Sequence, residues 1–126
     1  MWIKICGIKD ERTAEAVCRL EPDAIGLNFH PRSPRSVSVE DAKRIAMLVP
    51  TTVARVGVFV NRATSEIEDL AQSCHLDQIQ LHGDESPDQI AEVRHRLPNH
   101  GLIRAWRMSG ERLDDLSDHL TACRRL

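Results

Sequence analysis

At 126 residues the chain is long enough to bury a real core, and it suits one domain. With 41% hydrophobic and 29% charged residues and a net charge of −2, it has the composition of an ordinary soluble globular protein, with no electrostatic footprint for nucleic acid or an anionic membrane. Aromatics at 3% leave no stacking platform for single strands, and no apolar run approaches the roughly 20 residues needed to span a bilayer.

The first predicted strand covers residues 2–6, an apolar stretch too brief for a signal peptide. A helix over 11–20 follows, with Ala14, Val17 and Cys18 on one weakly apolar face. Further strands are predicted over 24–29, 53–60, 77–81 and 102–108, each a short run bounded by polar or turn residues. Between them the apolar residues recur with helical period: Val39, Ala42, Ile45, Ala46 and Val49; then Ile67, Leu70, Ala71 and Cys74; then Ile90, Val93 and Leu97; then Leu113, Leu116 and Leu120. Ser86-Pro87-Asp88-Gln89 has the form of a capping box with Pro at the first helical position, and Ser38 with Asp41 is a looser version. Helix stops fall at Pro50 and between Pro98 and Gly101.

Five βα units in a row imply a parallel sheet with right-handed crossovers. A doubly wound open sheet of flavodoxin type and an incomplete (β/α)8 barrel both fit that pattern. Side-chain alternation favours the barrel. Ile3 and Ile5 oppose Lys4 and Cys6; Ile25 and Leu27 oppose Gly26 and Asn28; Val56 and Val58 oppose Arg55, Gly57 and Phe59; Ile79 and Leu81 oppose Gln80 and His82; Ile103 and Ala105 oppose Arg104 and Trp106. One apolar face per strand suits packing on helices, whereas central strands of a doubly wound sheet are apolar on both. The expected fold is therefore α/β, of the TIM (β/α)8-barrel family: an incomplete barrel of five parallel βα units, residues 1–126 forming a single partial domain without strands six to eight.

The four cysteines, Cys6, Cys18, Cys74 and Cys123, form no CxxC pair and lack the density of a disulfide scaffold, so reduced thiols in the cytoplasm are expected. The six histidines include no HExxH, and no metal site is expected. Phosphate-binding glycine motifs are absent, and Gly83-Asp84-Glu85 would repel an anion.

Chemistry concentrates at the C-terminal ends of the strands, where barrel enzymes build their sites. Cys6 ends the first strand, with Lys4 on the same face to favour a thiolate and Gly7 to let the chain turn. On these residues alone Cys6 reads first as a small buried apolar group, with a candidate base as the other reading. Gln80 and His82 share the Cys6 face at the end of the fourth strand. The stiff loop Pro31-Arg32-Ser33-Pro34-Arg35 can present a guanidinium to a carboxylate, or be a solvated surface. Lys4, Arg55 and Arg104 are expected to point inward with no acid from the strand interiors to pair with them, which calls for an anionic ligand or an acid on strands the chain lacks.

Lys4-Ile5-Cys6-Gly7-Ile8, Ala24-Ile25-Gly26-Leu27, Ser33-Pro34-Arg35, Val56-Gly57-Val58-Phe59-Val60-Asn61 and Gln80-Leu81-His82-Gly83-Asp84-Glu85 resemble, in order and spacing, the phosphoribosylanthranilate isomerases of tryptophan biosynthesis. The resemblance covers nearly the whole chain. It implies a cofactor-free Amadori rearrangement of N-(5-phosphoribosyl)anthranilate to the 1-deoxyribulose phosphate. It implies that Cys6 is the general base at ribose C2, that Arg35 holds the anthranilate carboxylate, and that Gln80 and His82 line the substrate pocket. The family's general acid, an aspartate on the sixth strand, and its phosphate loops after the seventh and eighth strands have no counterpart in these residues. A truncated isomerase, inactive alone and open to complementation through its strand edges, is the leading expectation. The alternatives are a non-catalytic partial barrel that self-associates and a module that binds small anions.

Overall fold

The computed structural model describes residues 1–107 and 113–125. Five strands alternate with five helices: β1 (Lys4–Cys6), α1 (Glu11–Cys18), β2 (Ala24–Asn28), α2 (Val39–Leu48), β3 (Ala54–Phe59), α3 (Thr64–Ser73), β4 (Gln78–Leu81), α4 (Pro87–Arg96), β5 (Gly101–Arg104) and α5 (Leu113–Cys123). The expected strand end at Met108 lies outside the described residues. All strands are parallel and lie in the order β1-β2-β3-β4-β5. A doubly wound sheet reverses its strand order part-way; this one never does, so right-handed crossovers carry every helix to the same side. The architecture is five consecutive units of a (β/α)8 barrel.

Local chemistry explains the helix starts. Asp10 caps α1 by accepting the Thr13 N–H at 2.7 Å, and Ser38 caps α2 by accepting the Asp41 N–H at 3.0 Å. At α4 the capping box is complete: Ser86 Oγ accepts from Gln89 N–H, and Gln89 Oε1 accepts from Ser86 N–H at 2.9 Å. Each satisfies donors that the first helical turn leaves orphaned.

The core lies between the sheet and the helices. Ile25, Leu27, Phe29, Phe59, Ile79 and Leu81 meet Ala42, Ile45, Ile67, Leu70, Ile90 and Val93 there, and the Phe29 and Phe59 rings stack with centroids 5.3 Å apart. The terminal units are less covered. Trp2 and Ile3 are exposed and precede β1. α5 buries no residue fully, and Leu113 and Leu120 of its expected apolar stripe are exposed. Among the described residues β1 pairs only with β2, and β5 only with β4. No described helix is long and apolar enough to cross a membrane.

Two facing expectations are overturned. Registered partners in a parallel sheet point the same way. Arg55 is in register with Ile25, and so faces the helices, while Val56 and Val58 face the concave side with Gly26 and Asn28. Arg55 Nε donates to the Ala46 carbonyl of α2 at 3.2 Å, and Nη1 lies 3.0 Å from Asp77 Oδ2. β5 is reversed as well: Ile103 registers with Gln80 on the concave face, and Arg104 with Leu81 on the other. Arg104 pairs with Glu85 at 3.2 Å. Both arginines therefore have acids from this chain, supplied from strand-edge and loop positions rather than strand interiors.

Candidate active site

The concave face carries Lys4 and Cys6 from β1, Gly26 and Asn28 from β2, Val56 and Val58 from β3, and Gln78 and Gln80 from β4. Cys6 sits where β1 turns away from the sheet. Its thiol rests on Gly26, where an added Cβ would lie 2.7 Å from Sγ. Gly26 O accepts the N–H groups of both Gly7 and Ile8, at 3.0 and 3.2 Å, which bends the chain immediately after Cys6. Gly7 adopts φ +88°, a left-handed conformation that costs any other residue strain.

Arg35 arrives at the same point from the β2–α2 loop. Its Cδ would stand 2.7 Å from a Cβ on Gly7, so the arginine stem crosses the glycine next to Cys6. Asn28 shapes the loop that delivers it. Asn28 Oδ1 accepts the His30 N–H at 2.8 Å, and Nδ2 donates to Ser33 Oγ at 3.2 Å. Ser33 Oγ in turn accepts the Arg35 N–H at 3.2 Å. Lys9 Nζ closes the other side by donating to Pro34 O at 3.0 Å. Two loops, far apart in sequence, are thus locked against each other with Cys6 and Arg35 at their junction.

Gln80 and His82 belong to β4 and the residue after it. Gln80 is buried and shares the concave face, while His82 is exposed at the rim, its N–H donating to Phe59 O at 2.9 Å. β4 is three strand positions from β1, or about 14 Å along the sheet at ~4.8 Å per strand. The structure therefore lays the Arg35 stem on Gly7, the residue after Cys6, and sets Gln80 on the same concave face as Cys6, with His82 just beyond the end of β4. His82, Asn61, Glu85, Arg104, Trp106 and His119 line a cleft of about 540 Å³ at this rim.

Three residues that organise the site, Asn28, Asn61 and Glu85, escape sequence reasoning. Asn61 follows β3 with φ 49°, and its Oδ1 accepts the Asp84 N–H at 2.7 Å. Its signal was the known tolerance of Asn for left-handed backbone. Glu85 has no such signal, because its donors come from separate loops. Burial pushes the Cys18 and Cys74 thiols up from their ordinary value, which favours the protonated form. Among the described residues no group of three or more His, Cys, Asp or Glu side chains converges to hold a metal ion.

Comparison with known proteins decides the lineage. Residues 3–116 match the family model described as N-(5'-phosphoribosyl)anthranilate (PRA) isomerase. The chain belongs to this isomerase family. The N-(5'-phosphoribosyl)anthranilate isomerase of Rippkaea orientalis is 38% identical over 108 residues, covering 86% of this chain and 50% of the relative. A structure of mutually generated monomers of the dimeric isomerase from Thermotoga maritima superposes with a TM-score of 0.84 at 36% identity, covering 96% of this chain and 60% of that one. A phosphoribosyl anthranilate isomerase in complex with reduced 1-(o-carboxyphenylamino)-1-deoxyribulose 5-phosphate superposes at 0.82 with 37% identity, over 96% and 60% of the two chains. The chain spans about half the length of the curated relatives it matches. Family and barrel architecture thus agree with the motifs quoted from the sequence.

Proposed function

We propose that residues 1–126 are the first five units of a phosphoribosylanthranilate isomerase and carry the base half of its Amadori rearrangement. The observation that supports this most is the junction of Cys6 and Arg35 across Gly7. A base and a carboxylate receptor side by side suit a substrate whose anthranilate ring is bonded, through nitrogen, one carbon from the reacting C2. A solved relative binds a reduced form of the product, a phosphorylated small molecule of the same shape.

The chemistry asks little of the base. When the ribose ring oxygen takes a proton, the C1–O bond breaks and the anthranilate nitrogen lends its electron pair to form a C1=N iminium. That iminium acidifies C2–H. Cys6, as thiolate, removes the proton, and the C–H electrons form the C1=C2 enamine. Loss of the C2 hydroxyl proton and gain of one at C1 then yields the ketone. Arg35 holds the carboxylate so that C2 faces Cys6, and the fixed pose replaces a costly collision. Gln80 and His82 line the opposite side of the pocket. Electron flow stays within the substrate, so no cofactor takes part.

The acid that protonates the ring oxygen and the cradle for the phosphate belong to units six to eight, which lie outside these residues. We assign them to a separate polypeptide, or to further sequence of the same protein. The 126 residues alone are then inactive, one partial barrel domain working in the cytoplasm. Among the described residues β1 and β5 each keep one unpaired edge, which favours association with a copy of itself or with the completing units. The test is to mix the chain with a polypeptide comprising units six to eight of a related isomerase and follow product formation from N-(5-phosphoribosyl)anthranilate. Turnover by the mixture and none by either part is expected. Failure with several such partners would contradict the proposal and leave self-association as the reading.

A further inference from the structure

Among the described residues Glu85 is the one charged side chain that is nearly fully buried, at 4% exposure. A carboxylate removed from water needs partners on both oxygens. Glu85 finds them on three neighbouring loops and strands. Its Oε1 accepts the N–H groups of Asn61 and Gly83, at 2.9 and 3.1 Å. Its Oε2 accepts Gly83 N–H at 2.9 Å and lies 3.2 Å from Arg104 Nη1. Arg104 then reaches back along β4, donating from Nη1 to Leu81 O at 3.2 Å and from Nη2 to Gly83 O at 2.9 Å.

The bonds converge on the backbone that flanks a single residue, His82. Leu81 O precedes His82, and Gly83 N and O follow it. The peptide groups on both sides of His82 are therefore clamped, the one before it by Arg104 and the one after it by Glu85, while Arg104 also holds the following peptide through Gly83 O. Gly83 allows no slack: a Cβ there would lie 2.7 Å from both Asn61 N and Glu85 Oε1. A latch whose purpose was only to hold loops together has no need to fix both flanks of one exposed imidazole.

We infer that Glu85 and Arg104 are positioning residues that set the direction in which His82 enters the substrate pocket, acting through the peptide groups on either side of it. This rests on the pocket role of His82 proposed above. Charge-assisted hydrogen bonds hold a backbone more sharply than neutral ones, and a displacement of about 1 Å at a substrate contact costs roughly 10²-fold in rate.

A double-mutant cycle in the assembly of this chain with units six to eight tests the idea. Glu85→Gln keeps the shape but gives up the charge and one acceptor. It should lower kcat/KM by about 10²-fold, and Arg104→Gln should do the same. In a His82→Asn background either change should cost little more, because the residue they position is already gone. Additive losses, or no loss, would overturn the proposal. Should the parent assembly show no turnover, the isomerase reading fails on its own, and amide hydrogen exchange in the same sample decides the clasp. Protection at Gly83 and Asn61 that drops on Glu85→Gln, while α2 keeps its own, supports it. Protection that is absent, unchanged, or lost uniformly across the chain overturns it.

Discussion

Arg35 lies across Gly7, its Cδ 2.7 Å from where a Cβ would project, and so reaches the flank of Cys6 through a gap only glycine leaves. The two residues come from different βα units, and their meeting depends on that gap and on the left-handed turn at Gly7. Gly7→Ala should therefore act twice. It should destabilise the chain by about 1 kcal/mol through backbone strain, read from denaturant unfolding. It should also displace Arg35, raising KM in the completed assembly more than it lowers kcat. A variant with unchanged KM would mean that Arg35 does not grip the substrate carboxylate.

Arg55 offers the opposite contrast. It faces the helices and is held by Ala46 O, His75 O and Asp77. Arg55→Met should lower stability by about 1–3 kcal/mol, since it strips partners from partly buried acceptors. It should leave kcat/KM of the assembly untouched. A loss of activity at unchanged stability would return Arg55 to the concave face.

How much of this was legible in the sequence depended on the strand. In β1, β2 and β4 polar and apolar residues alternate, and the shared face of Cys6 and Gln80 followed correctly. In β3 both faces are apolar, with Val56, Val58 and Phe59 all buried, so alternation carried no direction. Arg55 then drew the assignment the wrong way, because its partners are a helix carbonyl and an acid at the start of the next strand. In β5 the error was to seek Arg104's acid on a strand. Glu85 sits in the loop after β4, in a tripeptide that reads only as repulsive to phosphate. The motifs were visible as local strings, whereas the contacts between loops, such as Arg35 over Gly7 and Glu85 on Asn61, exist only once the sheet order is set.

The docking of α5 should respond to pH. Burial pushes His119 below its ordinary value of 6.5, with the Arg104 guanidinium adding to the effect and Glu85 opposing it. The neutral ring accepts from Arg104 Nε at 3.4 Å and packs on Trp106 with centroids 4.8 Å apart. A base with a depressed folded pKa binds fewer protons when folded. Its contribution is present above 6.5 and is lost as pH falls below it. Trp106 fluorescence, in a Trp2→Phe background, should shift as pH is lowered from 7.5 to 5 (approximate working limits around the ordinary imidazole value). His119→Gln should flatten that response. A shift that persists in His119→Gln would assign the transition elsewhere.

Exposed edges should make the lone chain associate. β1 and β5 each have one unpaired side among the described residues, and Trp2, Ile3, Leu113 and Leu120 stand exposed near them. Open strand edges beside apolar surface recruit other strands. Sedimentation should show concentration-dependent oligomers that the completing polypeptide converts to a one-to-one complex. A cooperatively unfolding monomer at all concentrations would contradict this.

The central claim, that Cys6 removes the C2 proton, is tested most directly in the completed assembly with substrate deuterated at ribose C2. The parent should turn over with a primary isotope effect on the proton-removal step and release deuterium to solvent. Cys6→Ser should slow turnover by about 10²–10⁴-fold, the usual worth of a positioned general base. Undiminished turnover in Cys6→Ser, with deuterium still released to solvent, would show that another residue takes the proton.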